Sequence, residues 1–272
     1  MAFLEGLELE GCELGGVSVE EMPGAVFYLN TNEGLERSVG NYVNRWTDRI
    51  SGMVLDRVGT KVEATPTSVP MVKMPNGNYL RSGSASSNFK LAWVATGVPF
   101  TFWVFLRDAT VTAGTNNPVL QLAITASTGG NSSFYVNKND LSGANIITAG
   151  MANIIQVAGA NGSFPSVPSI LKFRYKRVGS QNQAFLYRHY VTEAGGVKTL
   201  HRDLLIGSNS TASAIKNPAN FTAEQFQLGG APTAATFGDM VFMREDTGLA
   251  QAEIDKNILE IDNLLIARFL GM

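Results

Sequence analysis

Cysteine, histidine and charge are all scarce in this chain. Among its 272 residues there is one cysteine, Cys12, and there are two histidines, His189 and His201. A lone cysteine excludes an internal disulfide, and with two histidines it makes a structural zinc site a poor fit. No metal and no cofactor is expected. Charged residues are 16% of the chain, well under the usual quarter. No lysine or arginine precedes Arg37, and glutamates interrupt the apolar residues of the amino end. That excludes the positive n-region of a secretory signal, so no signal peptide is expected. Residues 109–137 and 141–171 carry no charge at all. The second stretch has the length of a membrane span, but Gly143, Gly150, Gly159, Gly162, Pro165 and Pro168 break it, and a spanning helix tolerates such a set poorly. It reads as strands and turns whose surface is either buried or covered by a partner.

What fills the gap is Gly, Ser, Thr, Asn and Ala, arranged with a period of two. In Ile170-Leu-Lys-Phe-Arg-Tyr-Lys176 the residues Leu171, Phe173 and Tyr175 share one face, and Lys172, Arg174 and Lys176 the other, the pattern of a half-buried strand. Further strands are read at 26–30, 53–58, 79–81, 89–94, 100–106, 119–125, 134–137, 153–157, 184–191, 198–205, 226–228 and 237–243, with turns such as Pro75-Asn-Gly-Asn78 between them. Many short strands without alternating helices predict an all-β, two-sheet antiparallel sandwich. One helix closes the chain, over 248–270. Ile254, Ile258, Ile261, Leu265 and Phe269 form a single stripe, Asp246 or Thr247 is the expected cap, and Gly271 follows the end. On that helix Glu253 and Asp255 point to nearly opposite sides, so the glycosidase-like string EIDKNILE, 253–260, cannot bring its acids together.

Charge is unevenly placed. Residues 1–36 hold eight glutamates and no base, −8, and the remainder holds 21 bases against 15 acids, +6. Residues 1–23 therefore read as an acidic arm on a body spanning 24–272. The arm is either a solvated leader or a tether docked on a basic surface. Lys172, Arg174, Lys176 and Arg177, with Arg188 on a neighbouring strand, would form that basic strip. The alternatives are a solvated strand face or docking of Glu5, Glu8, Glu10 and Glu13 from a neighbouring subunit. Aromatic interleaving is modest and the whole chain is negative, so no nucleic-acid partner is expected.

Gly24-Ala-Val-Phe-Tyr-Leu-Asn-Thr-Asn-Glu-Gly34, then Trp46-Thr-Asp48-Arg-Ile-Ser-Gly52, resembles the opening of laminin-G-like, concanavalin A-like lectin domains. Pro99-Phe-Thr-Phe-Trp-Val104 is similar to their central strand. Phe226-Gln-Leu-Gly-Gly230, Phe237-Gly-Asp-Met-Val-Phe242 and Leu249–Ile254 resemble their last strands and terminal helix. The resemblance spans 24–272 and implies the concanavalin A-like jelly roll. It specifies function poorly, because such sandwiches host lectins, hydrolases and structural modules. Trp46 is expected under a sheet edge, Asp48 in a turn bonded to backbone N–H groups, and Gly238 at a bend before the last strand. The family's calcium site would draw here on Asn30, Asn32 and Glu33, or on Asn137, Asn139 and Asp140. Neither set offers the carboxylates that calcium wants, so both read as turn residues.

The acids of the body form no acid-x-acid pair on a strand, and neither histidine adjoins a nucleophile turn; the chain is read as non-enzymatic. Trp93 and Trp103 lie in apolar runs and are expected in the core, which leaves Tyr135, Tyr187 and Tyr190 as candidate sugar platforms. Concanavalin-like domains are common in phage virions as capsid decorations, head fibres and tail parts. That resemblance implies a phage structural protein on the virion surface, anchored by residues 1–23 to other virion proteins or to copies of itself. A carbohydrate-binding adhesin for a host-surface glycan is the first alternative, and a glycoside hydrolase or lyase the second.

Overall fold

In the computed structural model the described residues are 18–83, 90–111, 116–126, 132–139, 146–152, 154–215, 221–230 and 233–272. Glu5, Glu8, Glu10, Glu13 and Asp140 lie outside them. In chain order the strands are β1 Ala25–Leu29, β2 Leu35–Arg37, β3 Val43–Thr47, β4 Val54–Val58, β5 Glu63–Ala64 and β6 Val72–Met74. Next come β7 Tyr79–Ser82, β8 Phe100–Val111, β9 Asn116–Ala126, β10 Ser132–Asn139, β11 Ile146–Met151 and β12 Ile155–Ala158. The last are β13 Ser169–Val178, β14 Gln181–Ala194, β15 Val197–Thr211, β16 Phe221–Gly229 and β17 Thr233–Arg244, followed by helix α1, Gln251–Leu270.

They form two antiparallel sheets. One has eight strands in the order β15-β14-β13-β8-β17-β6-β5, with β1 pairing the second half of β17 beside β6. The other has nine, in the order β12-β11-β10-β9-β16-β7-β4-β3-β2. The all-β two-sheet sandwich with a carboxyl-terminal helix is thus the fold that the sequence indicates. Between the sheets lies an aromatic core. Phe242 meets Phe102 at 4.3 Å, Phe134 at 5.5 Å and Phe27 at 5.7 Å between ring centroids, and Phe100 and Phe173 join the cluster. Each fully buried phenylalanine contributes about 1.5–3 kcal/mol.

A third layer covers the eight-stranded sheet from outside. Ile254, Ile258, Ile261 and Leu265 of α1 are buried against Trp103, Phe105, Ile170, Val241 and Met243, and Phe269 stacks on Phe105 at 4.5 Å. Strands β8 and β17 are therefore buried on both faces, which is why their sequences are nearly continuous apolar runs. Val19 and Met22 are buried in this same layer, so the end of the acidic leader belongs to the body. Gly238 sits at a bulge between β17 and β8, where a Cβ would come within 2.5 Å of Phe269 and 2.8 Å of Phe105. It makes room for the stack as well as for the bend. The helix starts later than its stripe suggests. Its N-cap is Ala250, whose N–H donates to the Glu253 carboxylate at 3.3 Å, and neither Asp246 nor Thr247 caps it. It ends as expected at Gly271, left-handed at φ 65°.

Strands β2, β3, β5, β6 and β11 lie outside the segments read as strand, and one segment read as strand is not one. Leu91–Val94 was expected to be strand, but Ala92–Ala95 forms a single 3₁₀ turn, and Trp93 is half-buried at the rim, edge-on to Phe100 at 5.6 Å. An apolar run this short cannot distinguish strand from turn, and the deciding partner lies far away in sequence. The carboxylate of Glu224, on β16, accepts the N–H groups of Lys90 and Leu91. Burial pushes the Glu224 carboxyl up to about 7 against these bonds, which favour its ionised form. An acid whose folded pKa exceeds its unfolded value favours the folded state at low pH, so this contribution falls as pH rises from 4.5 to about 7. The shift corresponds to a change on the order of 3 kcal/mol. Urea denaturation of wild type and Glu224→Gln across that range should show the pH dependence in the first and its loss in the second.

Candidate functional site

The outer face of the nine-stranded sheet carries a row of polar side chains aligned by register. Gln156 on β12 pairs with Gly150 on β11, Gly150 with Tyr135 on β10, and Tyr135 with Gln121 on β9. Gln121 pairs with Gln227 on β16, Gln227 with Arg81 on β7, Arg81 with Asp56 on β4, Asp56 with Arg45 on β3, and Arg45 with Glu36 on β2. Strand alternation explains the row, since the flanking Leu120, Leu122, Phe134, Val136, Phe226, Leu228, Leu80 and Leu55 are all buried in the core. From β10 to β4 there are four strand steps, about 19 Å at the usual ~4.8 Å spacing.

The row is electrically balanced. Arg45 Nε donates to Asp56 Oδ1 at 2.9 Å, and its Nη1 lies 3.6 Å from Glu36 Oε2. Arg81 lies over the ring of Tyr79 at 5.4 Å, a cation–π contact. Tyr135 reaches across Gly150 to donate its hydroxyl to Gln156 Oε1 at 2.7 Å. Any Cβ at Gly150 would come within 2.5 Å of the Gln156 backbone, so glycine is needed for that crossing. Burial raises the Tyr135 phenol above its ordinary pKa, which keeps it a donor. The arrangement offers amides, a phenol and aromatic surface without net charge, chemistry suited to hydroxyl groups and sugar rings.

The three candidate tyrosines do not share a platform. Tyr135 belongs to this row. Tyr187 lies on the outer face of the other sheet beside α1, stacked with Phe185 at 6.3 Å and under Lys172 at 5.3 Å. Tyr190 pairs in register with Ser169, stacks on His201 at 4.4 Å and is covered by Arg188 at 4.1 Å. Sequence reading missed Gln121, Gln227, Arg81 and Asp56. Their alternation was legible, but the register that lines them up across strands was not.

The basic strip divides likewise. Lys172, Arg174 and Lys176 do share a face, whereas Arg177 bonds Asn182 Oδ1 at 2.6 Å and Arg188 bonds Ser169 Oγ at 2.9 Å on the opposite side. The shared face is roofed by α1. Lys172, 5% exposed, pairs with Asp203 and, at 2.8 Å, with Asp262 Oδ2 of the helix. Arg174 pairs with Glu245 at 2.7 Å and with Asp255 at 2.8 Å. Two of the strip's cations are thus matched within the chain. A cleft of about 380 Å³ opens between these residues, Tyr187, Ile258 and Leu259.

Beneath it His189, Asp203 and Asp262 place ligand atoms within 4.8 Å of one another. Their chemistry does not fit a metal. His189 Nδ1 accepts the N–H of Asp203 at 3.1 Å, so the ring proton sits on Nε2, the nitrogen that faces Asp262 at 3.3 Å, and Lys172 already supplies the positive charge. At the calcium candidates, Asn30 Oδ1 accepts the N–H of Asn32 at 2.8 Å and Arg268 at 3.1 Å, which makes it a turn residue. Trp46 is fully buried and bonds Asn30 O at 3.1 Å, and Asp48 accepts N–H groups from Tyr28, Ile50 and Ser51. Both have the structural roles expected of them. No helix among the described residues is long and apolar enough to cross a membrane.

No protein-family model and no curated relative matches the sequence. Among solved structures the chain is similar to Trypanosoma rangeli sialidase in complex with difluorosialic acid, with a TM-score of 0.52 and 14% identity over 94% of this chain and 35% of the sialidase. It is also similar to a legume lectin-like domain from Entamoeba histolytica, with a TM-score of 0.35, 8% identity and coverage of 69% and 88%. The Ruminococcus gnavus IT-sialidase CBM40 gives a TM-score of 0.40, 10% identity and coverage of 70% and 96%. The chain therefore spans about a third of the sialidase, and what it shares with that part is fold.

Proposed function

We propose that this protein is a non-catalytic carbohydrate-binding module, and that the glycan lies across the nine-stranded sheet along Tyr135, Gln121, Gln227, Arg81 and Asp56. The observation that carries this reading is the register-aligned polar row, with its amides, its phenol and the Arg81–Tyr79 stack. The non-catalytic reading is supported by the two acids of the row, since Asp56 and Glu36 are both paired with Arg45. On a glycan array, wild type should bind a set of oligosaccharides that Tyr135→Ala and Arg81→Ala bind at least tenfold more weakly, a loss of about 1.4 kcal/mol or more. Unchanged binding by both variants would remove this face from the account, and release of reducing ends from the same glycans would replace it with an enzyme.

A second reading, a component of a phage virion tethered by residues 1–23, draws support from the burial of Val19 and Met22 under α1, which would fix where such a tether leaves the body. Deleting residues 1–17 should then abolish particle attachment or self-assembly without lowering the thermal midpoint. An unchanged assembly state would count against it.

A further inference from the structure

At one side of the sandwich the edge strand β12 of one sheet meets the edge strand β15 of the other. A pocket of about 390 Å³ opens at this seam, lined by Met151, Ile154, Ile155, Gln156, Asn209, Ser210, Thr211 and Ser213. Met151, Ile154 and Ile155 give it apolar surface, the others give amides and hydroxyls, and none of the described residues that line it is charged. Several of its polar groups are already held in place. Asn209 Nδ2 donates to Gln156 O at 2.8 Å and its Oδ1 accepts the N–H of Ser210 at 2.8 Å, which fixes the amide orientation. The hydroxyls of Thr211 and Ser213 lie 3.3 Å apart, and Ser213 O accepts Asn182 Nδ2 at 2.9 Å. Arg177 Nη1 is directed at the same carbonyl at 3.5 Å.

Gln156 connects this pocket to the polar row. Its Oε1 is occupied by the Tyr135 hydroxyl, so its amide hydrogens are the part of the side chain presented to a ligand. We infer that the seam pocket is a terminal subsite of the same surface, one that seats a single uncharged sugar ring on Met151 and Ile154 and bonds its hydroxyls through Gln156, Thr211 and Ser213. This rests on the reading of the sheet face as carbohydrate-binding. The class of sugar follows from the lining: an apolar floor with convergent neutral polar groups suits a polyol ring. A sialic acid carboxylate would find no cation among the described lining residues and would lose hydration without compensation from them.

The test uses the full chain with methyl-labelled methionine and isoleucine, titrated with neutral oligosaccharides of gluco, galacto and manno type and, separately, with sialyllactose. Saturable shifts of the Met151 and Ile154 methyl resonances are expected with a neutral glycan and not with sialyllactose. Thr211→Val and Ser213→Ala should each weaken that glycan at least threefold, and the pair about tenfold, while Arg81→Ala weakens it without erasing the methyl shifts at saturation. If a glycan that Arg81→Ala weakens leaves Met151 and Ile154 unmoved, the sheet face stands and the seam subsite falls. If the methyls shift but Arg81→Ala changes nothing, the subsite stands and the extended face falls. Equal methyl shifts with sialyllactose, or no methyl shift with any neutral glycan, would overturn the inference.

Discussion

Replacing Arg268 by alanine is expected to cost about 3–5 kcal/mol of stability, a large part of the roughly 5–15 kcal/mol that holds a typical domain folded. Arg268 sits near the end of α1, 8% exposed, with its Nε 3.2 Å from Asp239 Oδ2. Asp239 lies on β17, is fully buried, and accepts the N–H and hydroxyl of Thr31 at 2.8 and 2.9 Å and the hydroxyl of Tyr28 at 3.1 Å. Burial pushes the Asp239 carboxyl up, and the Arg268 charge is the chief influence holding it down. Without that charge the carboxyl rises further. An acid raised in the folded state favours folding at low pH, so the variant should recover part of its deficit as pH falls from about 8 to about 5. Guanidinium unfolding at both values checks this. Pairing Arg268→Met with Asp239→Leu should cost less than Arg268→Ala alone, because no charge is then left buried without a partner. Equal losses at both pH values would show that the cavity, and not the charge, accounts for the effect.

A loss of similar size, about 3–5 kcal/mol, is expected from Asp262→Ala. This helix carboxylate, 2% exposed, receives Trp103 Nε1 at 2.7 Å and Lys172 Nζ at 2.8 Å, and faces His189 Nε2 at 3.3 Å. Burial alone would raise its pKa, but the His189 bond and the Lys172 charge outweigh that and hold the carboxyl below its ordinary value. Its contribution is therefore complete above the unfolded pKa of about 4 and lost as pH falls below it. Alanine removes the partner of Trp103 Nε1 and the carboxylate facing His189 Nε2, both on fully buried residues, and leaves Lys172 with Asp203 alone. Asp262→Asn keeps an acceptor for Trp103 while Asp203 still neutralises Lys172, so it should cost less than half as much. Urea midpoints of the two variants, with Trp103 emission as a probe of the helix contact, give the comparison. A loss below about 1 kcal/mol for alanine would mean that α1 is held by its apolar stripe alone.

These two clusters mark where sequence reading stopped. The stripe Ile254, Ile258, Ile261, Leu265 was legible because helical spacing is a local property, and all four residues are buried as a set. The alternation Leu171, Phe173, Tyr175 against Lys172, Arg174, Lys176 was legible for the same reason. What the lysine and arginines face was not. A strand of that pattern serves equally on a solvent surface or under a charged helix, and the choice lies with Asp262, 90 residues away. The glutamate-rich string that resembles a glycosidase motif contains Asp255, which is spent on Arg174. At the candidate site, Tyr135 was singled out from composition. Gln121, Gln227, Arg81 and Asp56 were not, because their alignment exists only once β10, β9, β16, β7 and β4 are in register.

By itself the amino-acid sequence determined the longer strands, the two-layered all-β class, the terminal helix and the turns at Asp48 and Gly271, because each follows from periodicity or from backbone chemistry within a few residues. Tertiary structure alone decided that the helix roofs the eight-stranded sheet, that a row of polar groups crosses the other sheet, and that Gln156 joins that row to the seam between β12 and β15. Contacts between residues distant in the chain depend on strand order and register, and no local pattern encodes them.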